Sequence, residues 1–334
     1  MGLQIGDIVP RHEIKFAELK GKVVAIDAFN AIYQFLSSIR QPDGTPLMDD
    51  KKRITSHFSG LFYRNIALLS EGIKLVYVFD GEYHPLKGKT HELRNNAKQL
   101  AMEKYEEAKD EEDIEGMGKY SRGFVKLTKE MIDESKTLLE AMGIAVVMAP
   151  GEGEMQCAQL VKDGEAYAVG SQDYDALVVG GRLIQNLTLA RQRKTRSGIV
   201  YISPELIEYD KTLNSLGMDG DQLISLAILV GTDFNPGGVK GIGPKKALAL
   251  VKEKRYPVAI FRTLEGKLDF EWKEIFEIFK KPNVKHVKID FPKLNKDKVK
   301  EILVGEHDFS MERVEKHLDK LGEIKKAGAQ RKLF

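Results

Sequence analysis

The stretch Lys22–Leu36, "KVVAIDAFNAIYQFL", changes its hydrophobic period at a single residue. "KVVAI" is short, apolar and rich in β-branched side chains, as a buried strand requires, and the apolar residues of "AFNAIYQFL" recur at helical spacing. Asp27 stands at the junction. The same pattern returns along the chain. Lys74–Phe79, "KLVYVF", runs into Asp80-Gly81, and Ala166–Val169, "AYAV", leads into Asp173 and Asp175. Ile144–Met148 reads as another strand, broken by Pro150-Gly151, after which Glu152 and Glu154 open a helix. Strands that alternate with helices predict an α/β fold with a largely parallel sheet, and such sheets bind ligands beyond the carboxyl ends of their strands. Six carboxylates fall at those ends. A seventh, Asp233, follows the helical stretch "DQLISLAILVG".

In "SQDYDAL" (171–177), extended backbone would put Asp173 and Asp175 on one face and turn Tyr174 away. One acid at a strand end reads most simply as a helix cap. Seven in five segments predict a shared site, because like charges so gathered repel and shift one another's protonation unless cations join them. Carboxylate oxygens without His or Cys suit Mg²⁺ or Mn²⁺ rather than zinc, and a cluster this acidic has room for two ions.

Composition excludes several classes. The 334 residues are 42% hydrophobic, enough for a sizeable core, and no apolar run approaches the ~20 residues that span a bilayer, so a soluble protein without a membrane partner is expected. The single cysteine, Cys157, lies in an apolar stretch and fits a reducing cytoplasm. With 52 basic and 50 acidic residues the net charge is only +2, so any grip on a polyanion must be local.

Three local features qualify. Residues 81–130 are polar and nearly balanced, with eleven acids and ten bases; Lys87 and Arg94, seven apart, would share a helix face and could hold a phosphate, although composition alone fits a solvated face equally well. Gly116, Gly118 and Gly123 argue against a continuous helix there, and the segment reads as an insertion that is mobile without a partner. In "GTDFNPGGVKGIGPKKALALV" (231–251), a glycine-rich turn precedes Pro244 at a helix start, where backbone N–H groups of Gly238, Gly241 and Gly243 with Lys240, Lys245 and Lys246 could face a DNA backbone. Arg191, Arg193, Lys194 and Arg196 read as the tip of a β-hairpin between "RLIQNLTLA" and "IVYIS", where charge could equally serve solubility.

"VVAIDAFNAIYQFL", "QPDGTPL", "ITSHFSGLFYR", "VYVFDGE", "APGEGEMQCA", "SQDYDAL" and "GTDFNPGGVKGIGPKKAL" occur in that order and span nearly the whole chain. Together they resemble the flap endonucleases, structure-specific 5′ nucleases, and the archaeal members more than the eukaryotic ones. The resemblance implies one nuclease domain over residues 1–325, with a mixed, mostly parallel central sheet flanked by helices. It adds a helical arch at about 82–128 and a helix-hairpin-helix at about 221–255. It implies that Asp27, Asp80, Glu152, Glu154, Asp173, Asp175 and Asp233 surround two Mg²⁺ or Mn²⁺ ions, that Lys87 and Arg94 flank the scissile phosphate, and that Tyr33 stacks on a base with Gly2 nearby. The turn 238–243 would grip duplex DNA, with a monovalent cation. Branched DNA with a 5′ flap is the implied substrate, cut by hydrolysis to a 5′ phosphate and a 3′ hydroxyl, by a monomer that is cytoplasmic in an archaeon and nuclear in a eukaryote. Residues 326–334, "AGAQRKLF" with the preceding Lys, resemble the start of a sliding-clamp-binding motif through Gln330, Leu333 and Phe334. The chain departs from the family at Gly151, Met155 and Tyr83-His84, where Ser, Ala and a Pro pair are usual. A metal-dependent ribonuclease, or a DNA-binding or clamp-associated scaffold, is the alternative reading.

Overall fold

The computed structural model describes residues 3–41, 43–189, 192–195 and 198–330. Among the described residues nine strands are formed: β1 (His12–Glu13), β2 (Val23–Asp27), β3 (Lys74–Phe79), β4 (Ala145–Met148), β5 (Ala168–Gly170), β6 (Leu183–Gln185), β7 (Gln192–Thr195), β8 (Gly198–Tyr201) and β9 (Glu205–Ile207). Seven make one sheet in the order β1-β9-β6-β5-β2-β3-β4. Neighbours from β6 to β4 pair in parallel, and β9 pairs antiparallel with both β6 and β1. The expected mixed, mostly parallel sheet is therefore present.

The period of two along each strand explains how the sheet is covered on both faces. Ala25, Val76, Val78, Ala145, Val147 and Val169 enter one core, packed against the helices Gly153–Lys162 and Gly220–Val230. Val24, Ile26, Leu75, Tyr77, Phe79 and Ala168 enter the other, packed against Ala28–Ser38 and Lys129–Ala141. Cys157 is fully buried in the first core and free. From β2 the chain builds outward through β3 and β4, then returns to place β5 on the other side of β2. The strand order thus reverses between β2 and β5, which is where an open α/β sheet leaves a crevice at its carboxyl edge.

Three expectations are corrected. The segment after β5 is not extended: residues 172–174 form bends and Asp175 begins a short helix, Asp175–Val178. The polar insertion is not one continuous helix, as expected, but the break does not fall at the glycines: the helix Gly88–Asp110 ends at Glu111–Asp113, where Glu112 adopts φ 55°. Asp113 then caps a second helix, Ile114–Tyr120, by accepting from the Gly116 N–H at 3.0 Å. Gly123 sits where a Cβ would come within 2.6 Å of the Ala101 methyl, so it serves close packing of the insertion on itself rather than breaking it. Finally, the basic hairpin is β7–β8, registered from Gln192↔Tyr201 to Thr195↔Gly198; Arg193 and Lys194 lie on strand β7, and Arg191 and Arg196 fall outside the described residues.

The helices Gly220–Val230 and Pro244–Lys254 flank the glycine turn, within one residue of the expected helix-hairpin-helix. Among the described residues no helix is long and apolar enough to cross a membrane. The helix Met311–Gln330 runs through the 325/326 boundary, while Gly2, Leu333 and Phe334 lie outside the described residues.

Candidate active site

Asp27 closes β2 and caps the helix Ala28–Ser38, its carboxylate accepting from the Asn30 N–H at 3.1 Å. The residue thus caps a helix and also lies beside Asp80 and Asp173. Asp80 follows β3 and accepts from the Gly153 N–H at 2.7 Å, joining the ends of two strands. A Cβ at position 153 would lie 2.6 Å from that carboxylate oxygen, so glycine is required by close approach. Glu152 and Glu154 lie at the start of the helix Gly153–Lys162. Beyond β5, the Ser171 hydroxyl accepts from the Asp173 N–H at 3.1 Å, and the bend swings Asp173 and Asp175 into the crevice while Tyr174 is buried behind them. Convergence comes from a turn rather than from a shared strand face.

All seven carboxylates form one electrostatic network. Burial, then Asp80, raises Asp27 to about 8, and burial, then Asp233, raises Asp175 to about 8. Burial and the neighbouring Glu152 lift Asp80 to about 6. Asp173 is also raised, by burial and Asp233, and Glu154 is pushed well above its ordinary value by burial and by Asp173, Asp175 and Asp27. Glu154 Oε1 and Asp175 Oδ1 are buried without any hydrogen-bond partner. Buried carboxylates that repel, protonate and leave acceptors unmet are the arrangement a hard divalent cation resolves, and the donor set is all oxygen. The residues fit metal.

The acids have two basic partners among the described residues, Lys87 and Arg94. Lys87, the residue preceding the arch helix Gly88–Asp110, is ion-paired to Glu152 and stands 3.7 Å from Asp233. Burial works against its charge, but Glu152 and Asp233 outweigh burial and raise its pKa. Arg94, two turns along, donates from one nitrogen to both Asp233 oxygens at 2.9 and 2.7 Å. Lys87 and Arg94 thus share the face that meets the acids.

Sequence reasoning missed three contributors. The Thr90 hydroxyl, buried between those two bases, donates to the Asp233 carbonyl at 2.6 Å and pins the foot of the arch. The Asn30 side chain donates to Asp173 at 3.0 Å while its own N–H serves Asp27, linking β2 to the turn after β5. Its place three residues after a strand-end Asp was the available signal. Beside it lies a 360 Å³ cavity lined by Asn30, Tyr33, Lys98 and Arg122, with the Lys98 ammonium 5.7 Å from the Tyr33 ring centroid. Lys98 and Arg122 carried no distinguishing spacing.

The glycine turn begins five residues after Asp233. Gly238 (φ 57°) and Gly241 (φ 81°) adopt left-handed conformations, and a Cβ on Gly238 would meet the Leu229 carbonyl at 2.4 Å. Val239 is buried, whereas Lys240, Gly241, Gly243, Lys245 and Lys246 are exposed, and Lys246 donates back to the Gly241 carbonyl at 3.2 Å. The Gln330 backbone belongs to the last helix.

Comparison with known proteins agrees with this geometry. Residues 4–101 match the XPG N-terminal domain and residues 143–233 the XPG I-region. Flap endonuclease 1 of Hyperthermus butylicus is 49% identical over 329 residues, covering 96% of this chain and 94% of that protein. Its counterpart in Pyrococcus furiosus is 48% identical over 99% of this chain and 97% of its own length. The structure of flap endonuclease-1 from Methanococcus jannaschii superposes with a TM-score of 0.77 at 43% identity, covering 97% of this chain and 98% of the other. The catalytic core of Rad2 in complex with DNA substrate shares the fold, with a TM-score of 0.69 at 23% identity over 96% of this chain and 100% of that one. A chain whose five acid-bearing segments close on one crevice, and whose whole length aligns in this way, belongs to the flap endonuclease family.

Proposed function

We propose that this chain is a divalent-metal-dependent endonuclease and 5′ exonuclease that hydrolyses a phosphodiester at the junction of a 5′ single-stranded flap with duplex DNA, as in replication and repair. The observation that carries the reading is the crevice at the β2–β5 switch point, where seven carboxylates meet two bases that reach in from an arch. Asp27, Asp80, Glu152, Glu154, Asp173, Asp175 and Asp233 would hold two Mg²⁺ or Mn²⁺ ions. When bound, such ions supply hydroxide near neutral pH and neutralise charge on the departing 3′ oxygen, giving a 5′ phosphate and a 3′ hydroxyl.

The chain's own groups do the rest. With ions on the acids, the ion pairs of Lys87 and Arg94 weaken, and both cations turn to the reacting phosphate, where they stabilise developing negative charge. Asn30 keeps Asp173 aimed into the crevice. Tyr33 offers a face on which an unpaired base stacks, and Lys98 and Arg122 beside it hold that strand's phosphates. Residues 82–128 close over the 5′ strand, with Gly2 near the site. The turn 238–243, with Lys240, Lys245, Lys246 and a monovalent cation, holds the duplex backbone at a distance from the chemistry. A sliding clamp is met by Gln330, Leu333 and Phe334.

Matched DNA and RNA flaps with Mg²⁺, with and without chelator, test the proposal. Cleavage of the DNA flap near its junction, abolished by chelator, is expected. Preference for the RNA flap would indicate a ribonuclease, and binding without turnover a scaffold.

A further inference from the structure

His307, in the segment between the last two helices, is 3% exposed and lies beneath the Phe58 ring at a centroid distance of 4.5 Å. Its Nδ1 is 3.1 Å from Asp49 Oδ2. Asp49 is in turn fixed by Arg53, whose N–H and Nε donate to its two oxygens at 2.8 and 2.7 Å. An acceptor so firmly held assigns the proton of a neutral imidazole to Nδ1 and leaves the Nε2 lone pair pointing the other way. In that direction stands a carboxylate: Glu134 Oε1 is 3.3 Å from Nε2, yet out of line for a hydrogen bond, so Nε2 is buried without a partner. Glu306, beside His307 in the chain, completes a group whose ligand atoms all lie within 4.8 Å of one another.

A lone pair held against carboxylate oxygens repels them unless a proton or a metal ion stands between. We propose that His307 Nε2, Glu134 and Glu306 form a second metal site, separate from the seven catalytic carboxylates, which takes a transition-metal dication. One imidazole and two carboxylates suit Mn²⁺, Fe²⁺ or Zn²⁺ better than Mg²⁺ or Ca²⁺. Bonds of about 2.0–2.2 Å put opposed ligand atoms about 4.4 Å apart at most. The exposed Glu306 and half-buried Glu134 close the remaining gap by side-chain rotation. Asp49 is the outer carboxylate that orients a ligating histidine. Local charge is suitable: Arg53, which also donates to the Glu306 carbonyl, is neutralised by Asp49, and burial holds the neighbouring His57 neutral, at about 3. The ion would tie residues 306–307, at the end of a helical turn, to the helix Lys129–Ala141 and the 49–57 loop, so its role is to stabilise the fold.

The test uses the untagged full chain, stripped of metal and titrated with Mn²⁺, read by pulsed electron paramagnetic resonance. The catalytic donors are all oxygen, so a ¹⁴N coupling from one bound imidazole is expected to mark the new site. The Mn²⁺ that carries it should also raise the thermal midpoint. In Glu134→Gln/Glu306→Gln, which leaves His307 and its packing in place, the coupling should vanish and that Mn²⁺ should bind at least ~10-fold more weakly, while Mg²⁺-dependent activity is retained. Two results would overturn the proposal. Wild-type protein saturated with Mn²⁺ could show no ¹⁴N coupling, which would make His307 a protonated bridge between Asp49 and Glu134. Alternatively, the coupling could persist unchanged in the double variant, which would trace it to another histidine such as His84 or His91.

Discussion

At the scale of single residues, Asp173 and Asp175 do different work from the same turn. Asp173 is oriented by Asn30, whereas Asp175 keeps one buried oxygen with no hydrogen-bond partner and repels Asp233, a penalty that Lys87 offsets only in part. Changing either to Asn preserves shape and removes charge. Cleavage should fall more than ~100-fold in both variants with DNA affinity largely intact, and near-normal Mg²⁺-dependent cleavage by both would remove them from the metal site. The presence of these acids at strand ends was legible in the sequence, since a charged residue that interrupts an apolar run is conspicuous. Their orientation was not. The expected extended geometry around Tyr174 gives way to a bend because the Tyr174 ring is drawn into the core, a tertiary preference with no local signature.

Among elements, the proposed function gives chemistry to the helix Gly88–Asp110 and grip to the glycine turn. Lys87 precedes the arch helix and contacts the acids through largely buried atoms, so Lys87→Ala should slow single-turnover cleavage far more than it weakens binding. Equal losses would mark Lys87 as an ordinary phosphate anchor. The opposite pattern belongs to the turn, whose lysines are exposed. Lys245→Ala/Lys246→Ala should lower the salt dependence of duplex binding by roughly one unit per lost phosphate contact, with saturated single-turnover rates unchanged. An unaltered slope would leave residues 238–246 a structural turn. The glycine and proline signals located this element within a residue, because positive φ and a proline at a helix start are local demands. In the insertion the glycines rightly excluded one continuous helix but misplaced the break, and Gly123 answers to packing against Ala101. No window of sequence contains that contact.

For the whole molecule, gathering seven acids in one crevice has a thermodynamic signature. Asp27 and Asp175 at about 8 and Asp80 at about 6 all lie above the ~3.9 of an unfolded aspartate, so the folded state binds these protons more tightly. Their stabilising contribution is complete below about pH 4 and is lost as pH rises toward 8. Metal-free protein should therefore melt at lower temperature at pH 8 than at pH 5, and Mg²⁺ or Mn²⁺ should reverse the loss while displacing the protons. Thermal unfolding with and without chelator checks this, and a midpoint that stays level or rises with pH would contradict it. The sequence by itself determined the alternation of strands and helices, the acid at each strand end, the helix-hairpin-helix and the family, since these rest on periodicity, turn chemistry and motif order along the chain. Only the tertiary structure decided that Lys87 and Arg94 close on Glu152 and Asp233, that Thr90 and Asn30 hold the parts in place, and that Asp49, Glu134, Glu306 and His307 meet. Those contacts join residues 65 to 258 positions apart, and distance along the chain carries no information about them until the sheet order brings their elements together.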